Sequence, residues 1–256
     1  MIKDITIGQY IPGESFIHKL DPRTKILITF LFIISLFIVD KFVGYIFVVA
    51  FLALVVYVAK ISPRYLYKGL KPVFLLIALT AILNIFMLRE GRLLFQLGFI
   101  KIYESGIKTA LFMAIRLILL IMGTSVLTLT TSPIELTDGI ERLLRPIGKA
   151  IAHELAMMMT IALRFIPTLI DETDKIMKAQ KARGADFESG GLVKKAKNLI
   201  PLLVPLFISS FRRADELAMA MEARCYRGGA GRTRMKVLKF TSKDFIAFGV
   251  FALLLA

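Results

Sequence analysis

Long apolar stretches are the feature that most limits the folds open to this chain. Five of them cover residues 26–39, 42–59, 73–88, 109–131 and 245–256. A helix needs roughly 20 residues to cross a hydrocarbon core of about 30 Å, and the first four stretches reach that length when flanking Lys and Arg side chains extend to the interface. The last stretch is shorter, so we expect a shallow or truncated final span. The pattern predicts an all-α integral membrane protein with about five transmembrane helices.

Composition supports this prediction and argues against other classes. Of the 256 residues, 57% are apolar and the mean hydropathy is +0.71, whereas the formal net charge is +15. The basic residues lie between the apolar stretches instead of along one polar face, which is unlike a nucleic-acid-binding surface. We therefore expect membrane lipid, and no nucleic acid, as a partner. Because the chain has one cysteine and two histidines, no zinc or iron–sulfur site is predicted.

The distribution of Lys and Arg predicts the orientation in the membrane. The segment before the first stretch and the connection at residues 60–72 are strongly basic, whereas the connections at 40–41 and 89–108 carry both signs. Lys and Arg favour the cytoplasmic side of a membrane. We therefore expect the N-terminus and residues 132–243 in the cytoplasm. In the external connection, residues 93–103 alternate around Gly98 and predict a small β-hairpin.

This orientation divides the chain into three predicted parts. They are an N-terminal transmembrane bundle of four helices over residues 1–131, a cytoplasmic helical module over residues 132–243, and a final transmembrane helix over residues 244–256. The module starts with Ser-Pro-Ile-Glu at residues 132–135, a capping pattern that predicts the beginning of a helix. Arg-Pro at residues 145–146 ends that helix.

Two longer helices are predicted in the rest of the module. The first runs from about residue 151 to 183, and Gly184 after it suits a left-handed backbone conformation. The second runs from about residue 192 to 224. Pro201 and Pro205 lie near its middle and predict a break or a kink there.

The ends of these two helices repeat each other. Asp174, Ala179, Ala182 and Arg183 match Asp215, Ala220, Ala223 and Arg224 at a constant offset of 41 residues. In both copies the Ala residues share one face, the Arg stands where the helix ends, and a glycine-bearing loop follows. Either the slim helix ends cross closely with Ala at the crossing, or each Arg is presented to a similar surface of a separate partner. Flexible Gly after the guanidinium suits a protruding tip and favours a partner, and both interpretations can hold together.

Three motifs resemble those of one transporter family. They are Leu20-Asp21-Pro22-Arg23-Thr24-Lys25, then Ala182-Arg183-Gly184 with Asp186-Phe187 behind it, and Glu222-Ala223-Arg224-Cys225-Tyr226-Arg227-Gly228-Gly229. In this order, and over essentially the whole chain, they are similar to the transmembrane T component (EcfT) of energy-coupling factor (ECF) vitamin importers. The resemblance implies a multi-pass protein of a prokaryotic plasma membrane that is not an enzyme and binds no cofactor itself. Cys225 departs from the pattern, because relatives often carry Gly there.

The resemblance also implies partners and contact residues. In that family the T component joins two ABC-type ATPase subunits, EcfA and EcfA′, to a substrate-binding S component, and the ATPases bind ATP and Mg²⁺. Its two coupling-helix tips place Arg residues in grooves of the ATPases. Here those tips correspond to Ala182, Arg183, Gly184, Ala223, Arg224 and Cys225.

Apolar stretches on the cytoplasmic module are candidates for docking the S component. They cover residues 155–166 and 199–211, and the residues expected to make contact are Met157, Met158, Leu203 and Phe207. Apolar surface outside the membrane needs a cover, and methionine adapts well to a partner surface. Packing of the methionines within the module itself is an equally good alternative.

The sequence lacks the common motifs of catalysis. No G-x-x-x-x-G-K-[ST] phosphate loop, H-E-x-x-H zinc motif or G-x-S-x-G nucleophile motif occurs. We interpret His18 and His153 as structural. The acidic residues at 171–174 are expected to be solvated and to form ion pairs with Lys175 and Lys178 one helical turn later.

Arg116 is the single charge deep inside a predicted span. An intramembrane charge is a candidate functional site. The alternative is that Arg116 faces the bundle and bonds Asn84 or backbone carbonyls. One charge does not make an ion pathway, which argues against the rival function, a stand-alone secondary transporter or channel. A third class, an intramembrane enzyme, would show acidic pairs or a metal cluster at the membrane face.

Overall fold

The computed structural model describes residues 10–39, 41–88, 92–97, 100–187, 191–229 and 237–255. These contain α1 (Pro22–Ile38), α2 (Phe42–Ala59), α3 (Pro63–Leu70), a 3-10 turn (Lys71–Val73), α4 (Phe74–Met87), β1 (Leu93–Leu97), β2 (Ile100–Tyr103), α5 (Glu104–Thr130), α6 (Pro133–Leu144), α7 (Lys149–Ala182), α8 (Leu192–Ala223) and α9 (Ser242–Leu255). The predicted all-α membrane class is confirmed. The predicted antiparallel hairpin of β1 and β2 is also confirmed. Gly98, its predicted turn residue, lies outside the described residues. So do residues 1–9, 40 and 89–90, whose charges contribute to the predicted orientation.

Contacts group the described residues into two compact units. The bundle unit comprises residues 10–139 and 237–255, and the arm unit comprises residues 140–229. The boundary falls within α6. The boundaries predicted at residues 131 and 243 separate membrane-embedded residues from cytoplasmic ones. The two contact units do not test that separation, so it stays a prediction.

Helix α5 is the centre of the bundle unit. It packs against α1, α2, α3 and α4, and α9 packs against α1 and α2. Glycine lets α1 and α5 approach closely, because a Cβ at Gly123 would lie 2.6 Å from Cε1 of Phe32. The buried apolar core is formed by Phe32, Leu36, Tyr45, Val48, Leu52, Ala59, Ile61, Leu66, Leu119, Val126, Leu129 and Phe251.

Four of the described helical segments have the length and composition of a membrane span: Phe42–Ala59, Pro63–Met87, Glu104–Thr130 and Lys149–Ala182. The first three correspond to the second, third and fourth predicted spans, to within one residue at their C-terminal ends. The fourth is α7, whose most apolar window has a mean hydropathy of 1.3, against 2.1–2.7 for the others. The first and last predicted spans correspond to α1 and α9, which are shorter, with 17 and 14 residues.

The arm unit contains two long helices that contact each other. With 34 and 32 residues, α7 and α8 are each about 50 Å long. Of the break or kink predicted in α8, the break does not occur, because the helix continues through Pro201 and Pro205, and the kink stays a prediction. The two prolines are one helical turn apart, and each lacks an N–H donor. Only the carbonyls of residues 197 and 201 therefore lose their usual helical partner, and the other backbone bonds maintain the helix.

Capping residues explain where α6 begins. The N–H of Glu135 donates to Oγ of Ser132 at 3.3 Å, and Pro133 is the first helical residue. The helix ends at Leu144, before the Arg-Pro pair. Both ends agree with the prediction from the sequence.

Candidate functional site

The end of α7 forms a Schellman motif, the paired hydrogen-bond pattern that closes many helices. The N–H of Ala185 donates to the carbonyl of Gln180 at 3.0 Å, and the N–H of Gly184 donates to the carbonyl of Lys181 at 3.0 Å. Gly184 has φ +87°, as predicted for the left-handed position. Arg183 is the last residue before that turn.

The end of α8 forms the same motif. The N–H of Tyr226 donates to the carbonyl of Met221 at 3.0 Å, and the N–H of Cys225 donates to the carbonyl of Glu222 at 2.8 Å. Each of these residues stands 41 positions after its counterpart at the end of α7. The repeat in the sequence is therefore also a repeat in backbone structure.

Arg183 and Arg224 have nearly identical backbone conformations and are both exposed. Their φ and ψ angles are −85° and 7° for Arg183, and −92° and 14° for Arg224. Among the described residues, neither guanidinium has a hydrogen-bond or ion-pair partner. Each has its full set of five N–H donors available to a partner.

The alternative in which the two helix ends cross closely, with the Ala residues at the crossing, is wrong. A crossing would bury the small residues that line it, but Ala179, Ala182, Ala220 and Ala223 are all exposed. The slim sides of both helix ends therefore stay open beside the two arginines.

Cys225 occupies a position that favours glycine. Its φ is +55°, and it corresponds to Gly184 in the first copy. A side chain in the left-handed region costs about 1–2 kcal/mol. The backbone nevertheless forms the same motif at both ends, so the departure from Gly changes the local energy and leaves the hydrogen-bond pattern intact. The thiol is exposed.

The loop after the second tip packs back onto the start of α7. Gly229 lies against the imidazole of His153, since a Cβ at Gly229 would be 2.5 Å from Cδ2 of that ring. On its other side, Nδ1 of His153 lies 3.5 Å from Oε1 of the buried Glu141. His153 therefore links α6, α7 and the second tip, which agrees with its interpretation as structural. The first tip has its own tether, a 2.6 Å hydrogen bond from Nδ2 of Asn198 to the carbonyl of Asp186.

The four residues predicted to dock the S component present apolar surface to different degrees. Met158 is 58% exposed and Phe207 is 60% exposed, and Leu203 is exposed as well, whereas Met157 is half-buried. The alternative of packing within the module therefore fits Met157 better than Met158. Their contact with a partner stays a prediction.

The ion pairs expected along α7 are not formed. None of the acidic residues at 171–174 lies within 4.0 Å of Lys175 or Lys178 among the ion pairs of the described residues. Asp171 is exposed and the other two are half-buried. Exposed pairs of this kind contribute little, because ordering two side chains offsets the weak attraction in water.

The N-terminal motif joins α1 to the beginning of α9. The side chain of Asp21 caps α1 by accepting from the N–H of Arg23 at 2.9 Å, and its carboxylate accepts two further bonds from the guanidinium of Arg23, at 3.0 and 2.8 Å. The backbone N–H of Asp21 donates to Oδ1 of Asp244 at 2.8 Å. The guanidinium of Arg23 also lies 3.9 Å from the centre of the Phe240 ring.

Asp244 is the buried acceptor of this arrangement. Only 1% of the residue is exposed, and its Oδ2 accepts from both the N–H and the hydroxyl of Thr241 at 2.7 Å. Thr241 immediately precedes α9 and Asp244 is its third residue, so the Asp244 carboxylate caps the N–H of Thr241 as the acid of a capping box does, while the Thr241 hydroxyl donates to the same carboxylate. The sequence T-x-x-D at residues 241–244 carries this signal, and our prediction of a span from residue 245 missed it.

Lys25 and His18 complete the contacts of the N-terminal segment. Nζ of the buried Lys25 donates to the carbonyls of His18 and Thr130, at 3.0 and 2.9 Å. Nε2 of His18 lies 3.1 Å from the carbonyl of Ile11, so this nitrogen carries the proton, and Nδ1 accepts from the hydroxyl of Ser15 at 2.6 Å. Burial lowers the pKa of His18, and the bond to Ile11 opposes that shift in part.

Arg116 faces the bundle. Its Nε donates to the hydroxyl of Tyr45 at 3.0 Å, and its terminal nitrogen donates to the carbonyl of Val39 at 3.2 Å. The ring of Phe37 lies 5.3 Å away. The expected carbonyl partner is confirmed, but the expected Asn84 is not, because the Asn84 amide donates to Thr80 in its own helix. Arg116 thus fixes the loop between α1 and α2 to the middle of α5.

Comparisons with known proteins decide the family. The CbiQ family model, described as a cobalt transport protein, matches residues 13–237. A protein of Clostridium kluyveri named energy-coupling factor transporter transmembrane protein EcfT is 68% identical over 96% of this chain and 93% of its own length. The chain belongs to the EcfT family. Proteins of the same name from Thermosediminibacter oceani and Bacillus subtilis are 61% and 50% identical, over 96% and 95% of this chain and 94% and 93% of their own lengths.

This membership confirms the resemblance indicated by the three motifs. The chain is a multi-pass membrane component of an ECF transporter, and the members of its family are named as transport components and not as enzymes. The names of the relatives do not identify the residues that contact other subunits, so the roles of the two tips stay predictions.

Proposed function

We propose that this EcfT family member is the coupling subunit of an ECF-type ABC importer. It transmits ATP-driven motion of two ATPase subunits to a substrate-binding S component, which carries a vitamin or another micronutrient. ATP and Mg²⁺ belong to the ATPase subunits. The N-terminus and residues 132–243 face the cytoplasm, where the ATPases are.

The observation that carries this proposal is the structural repeat at the two helix ends. Two similar ATPase subunits offer two similar grooves, and such grooves call for two similar inserts. Arg183 and Arg224 have matching backbone angles, exposed side chains and the same Schellman turn. An exposed guanidinium can form bidentate bonds to carboxylates and carbonyls of a groove, which a lysine cannot.

The length of α7 and α8 is the second argument for a coupling role, because a rigid helix transmits motion from one end to the other. Each of the two helices is about 50 Å long, and each carries its arginine at one end and exposed apolar side chains farther back. Met158 on α7 and Phe207 on α8 lie 25 and 17 positions before the respective arginines. We assign this apolar surface to the S component, so displacement of a tip by an ATPase would be transmitted to it.

The first test is copurification. An affinity tag on this chain should bring down two nucleotide-binding proteins and one small hydrophobic membrane protein, and the purified assembly in liposomes should accumulate a micronutrient when ATP is present. A chain that purifies alone and transports without ATP would instead be a secondary transporter. That result would refute the proposal.

The docking surface can be tested separately by crosslinking. Cys225 is the single cysteine, so a Cys225→Gly background allows one new cysteine at a time. Phe207→Cys should crosslink to the S component, whereas Ile147→Cys, in the turn after α6 and even more exposed to reagent, should not. Equal crosslinking at both positions, or none at Phe207→Cys in an assembly that still copurifies, would contradict the assignment of this surface.

A further inference from the structure

A stripe of basic side chains lies on α3 and the 3-10 turn after it. The stripe consists of Arg64, Lys68 and Lys71, at positions i, i+4 and i+7, which share one face of a helix. All three are exposed, and among the described residues none has an ion-pair partner. No acidic residue occurs from residue 41 to residue 89, so the stripe has no neutralising neighbour along the chain.

The opposite face of α3 is fixed against the bundle. Leu66 is 4% exposed and belongs to the buried core. A Cβ at Gly69 would lie 3.1 Å from the hydroxyl of Ser125, so α3 packs closely onto α5 at this point. The basic stripe is therefore held facing outward by rigid packing and does not depend on a loop.

The apolar helix after the stripe indicates the medium that the basic side chains meet. The chain continues directly into α4, where Phe74, Leu75, Leu76 and Leu79 are all more than half exposed. Such a surface belongs in the hydrocarbon of a bilayer. Tyr65 and Tyr67 flank the stripe and are exposed too, and tyrosine concentrates at the membrane–water interface. The three basic groups thus stand at headgroup depth.

We propose that the Arg64–Lys68–Lys71 stripe binds the headgroup of an anionic phospholipid. A phosphate diester at the interface offers the negative charge that three adjacent cations lack, and its acyl chains would lie along the apolar side chains of α4. An acidic protein surface has compatible charge, but it would not match the exposed apolar surface of α4 that continues from the stripe. The proposal does not depend on the coupling role of the arginine tips.

The test compares two lipids of equal chain length. The full chain, purified in a neutral detergent, is titrated with dioctanoyl phosphatidylglycerol or dioctanoyl phosphatidylcholine, and retained lipid is counted by native mass spectrometry. Wild type should retain the anionic lipid selectively, and millimolar inorganic phosphate should not displace it. Equal retention of both lipids, or displacement by free phosphate, would overturn the proposal.

Charge variants locate the site. Arg64→Gln/Lys68→Gln/Lys71→Gln should lower the affinity for phosphatidylglycerol by at least about tenfold, and each single change by about fivefold. The control is Lys41→Gln/Arg92→Gln/Lys108→Gln, which removes the same charge from exposed residues outside the stripe and should change affinity less than twofold. If the triple variant is not monodisperse, the single variants decide. An equal loss in both triples, or a stripe variant that retains lipid but loses copurifying proteins, would overturn the assignment.

Discussion

Removal of the Asp244 carboxylate should destabilise the bundle unit measurably. The carboxylate is buried and accepts bonds from the N–H of Asp21 at 2.8 Å and from the N–H and hydroxyl of Thr241 at 2.7 Å. In Asp244→Ala, the N–H of the buried Asp21 loses its acceptor, which costs about 1–3 kcal/mol. Thr241 is exposed, so its groups bond to water and the loss of its cap adds about 1 kcal/mol. We expect a total of about 2–4 kcal/mol.

The isosteric Asp244→Asn should fall between Asp244→Ala and wild type. Its amide oxygen can still accept from Asp21, but its NH₂ group then faces the two donors of Thr241. We expect a loss of about 1–2 kcal/mol. The matched control is Glu104→Ala, an exposed acidic residue in the first turn of α5, which should stay within about 0.5 kcal/mol of wild type.

The assay is unfolding of the full chain in mixed micelles by titration with SDS, followed by far-UV circular dichroism because the chain has no tryptophan. The free energy of unfolding is taken from linear extrapolation. The predicted order of destabilisation is Asp244→Ala, then Asp244→Asn, then Glu104→Ala. If Asp244→Ala unfolds within about 0.5 kcal/mol of wild type, the contact between the N-terminal motif and α9 does not stabilise the fold.

Three further predictions concern the stability of the chain, the first two measured by the same SDS titration and the third by thermal melting. Cys225→Gly should stabilise the chain by about 1 kcal/mol and Gly184→Ala should destabilise it by about as much, because both positions have a left-handed backbone. If both variants were stabilised, or both destabilised, this reason would be contradicted. Gly123→Ala should cost about 1–3 kcal/mol, since the new methyl group meets the Phe32 ring, whereas Gly249→Ala, which meets no atom within 4 Å, should be neutral. Burial lowers the pKa of His18, so below about pH 6.5 the unfolded chain binds more protons than the folded one, and stability falls as pH falls. Between pH 7 and pH 5.5, the melting temperature should therefore fall less in His18→Gln than in wild type. An equal fall in both would refute this cause.

Local signals in the sequence predicted the helix boundaries well. Ser132 and Pro133 marked the start of α6, and Gly184 marked the left-handed turn after α7. Both depend on the conformation of one or two residues, so a short pattern contains the needed information. The cap of Asp244 on Thr241 has an equally local signal, the T-x-x-D pattern, which hydropathy alone does not detect.

Features that depend on contacts distant in the sequence could not be predicted. Nothing in the pattern indicates that Asp21 would bind Asp244, 223 positions later, or that Arg116 would choose Tyr45 over Asn84. Of the break or kink predicted in α8, the break did not form, because the remaining backbone bonds of a long helix outweigh the local penalty of proline. The repeat at the helix ends was visible in the sequence, but its exposure was not, and this excluded the close crossing of the alanines.

The most direct measurement of the central claim is the affinity of this chain for its ATPase pair when both tips are changed. Arg183→Ala/Arg224→Ala should weaken binding by about 2–5 kcal/mol for each arginine buried in a groove, which abolishes copurification and ATP-dependent uptake. Lys178→Ala/Arg212→Ala removes the same charge from exposed positions on the same two helices and should bind like wild type. Arg183→Lys/Arg224→Lys keeps the charge and should recover little, because lysine lacks the bidentate geometry. Undiminished ATPase binding and transport by the double alanine variant would contradict the account.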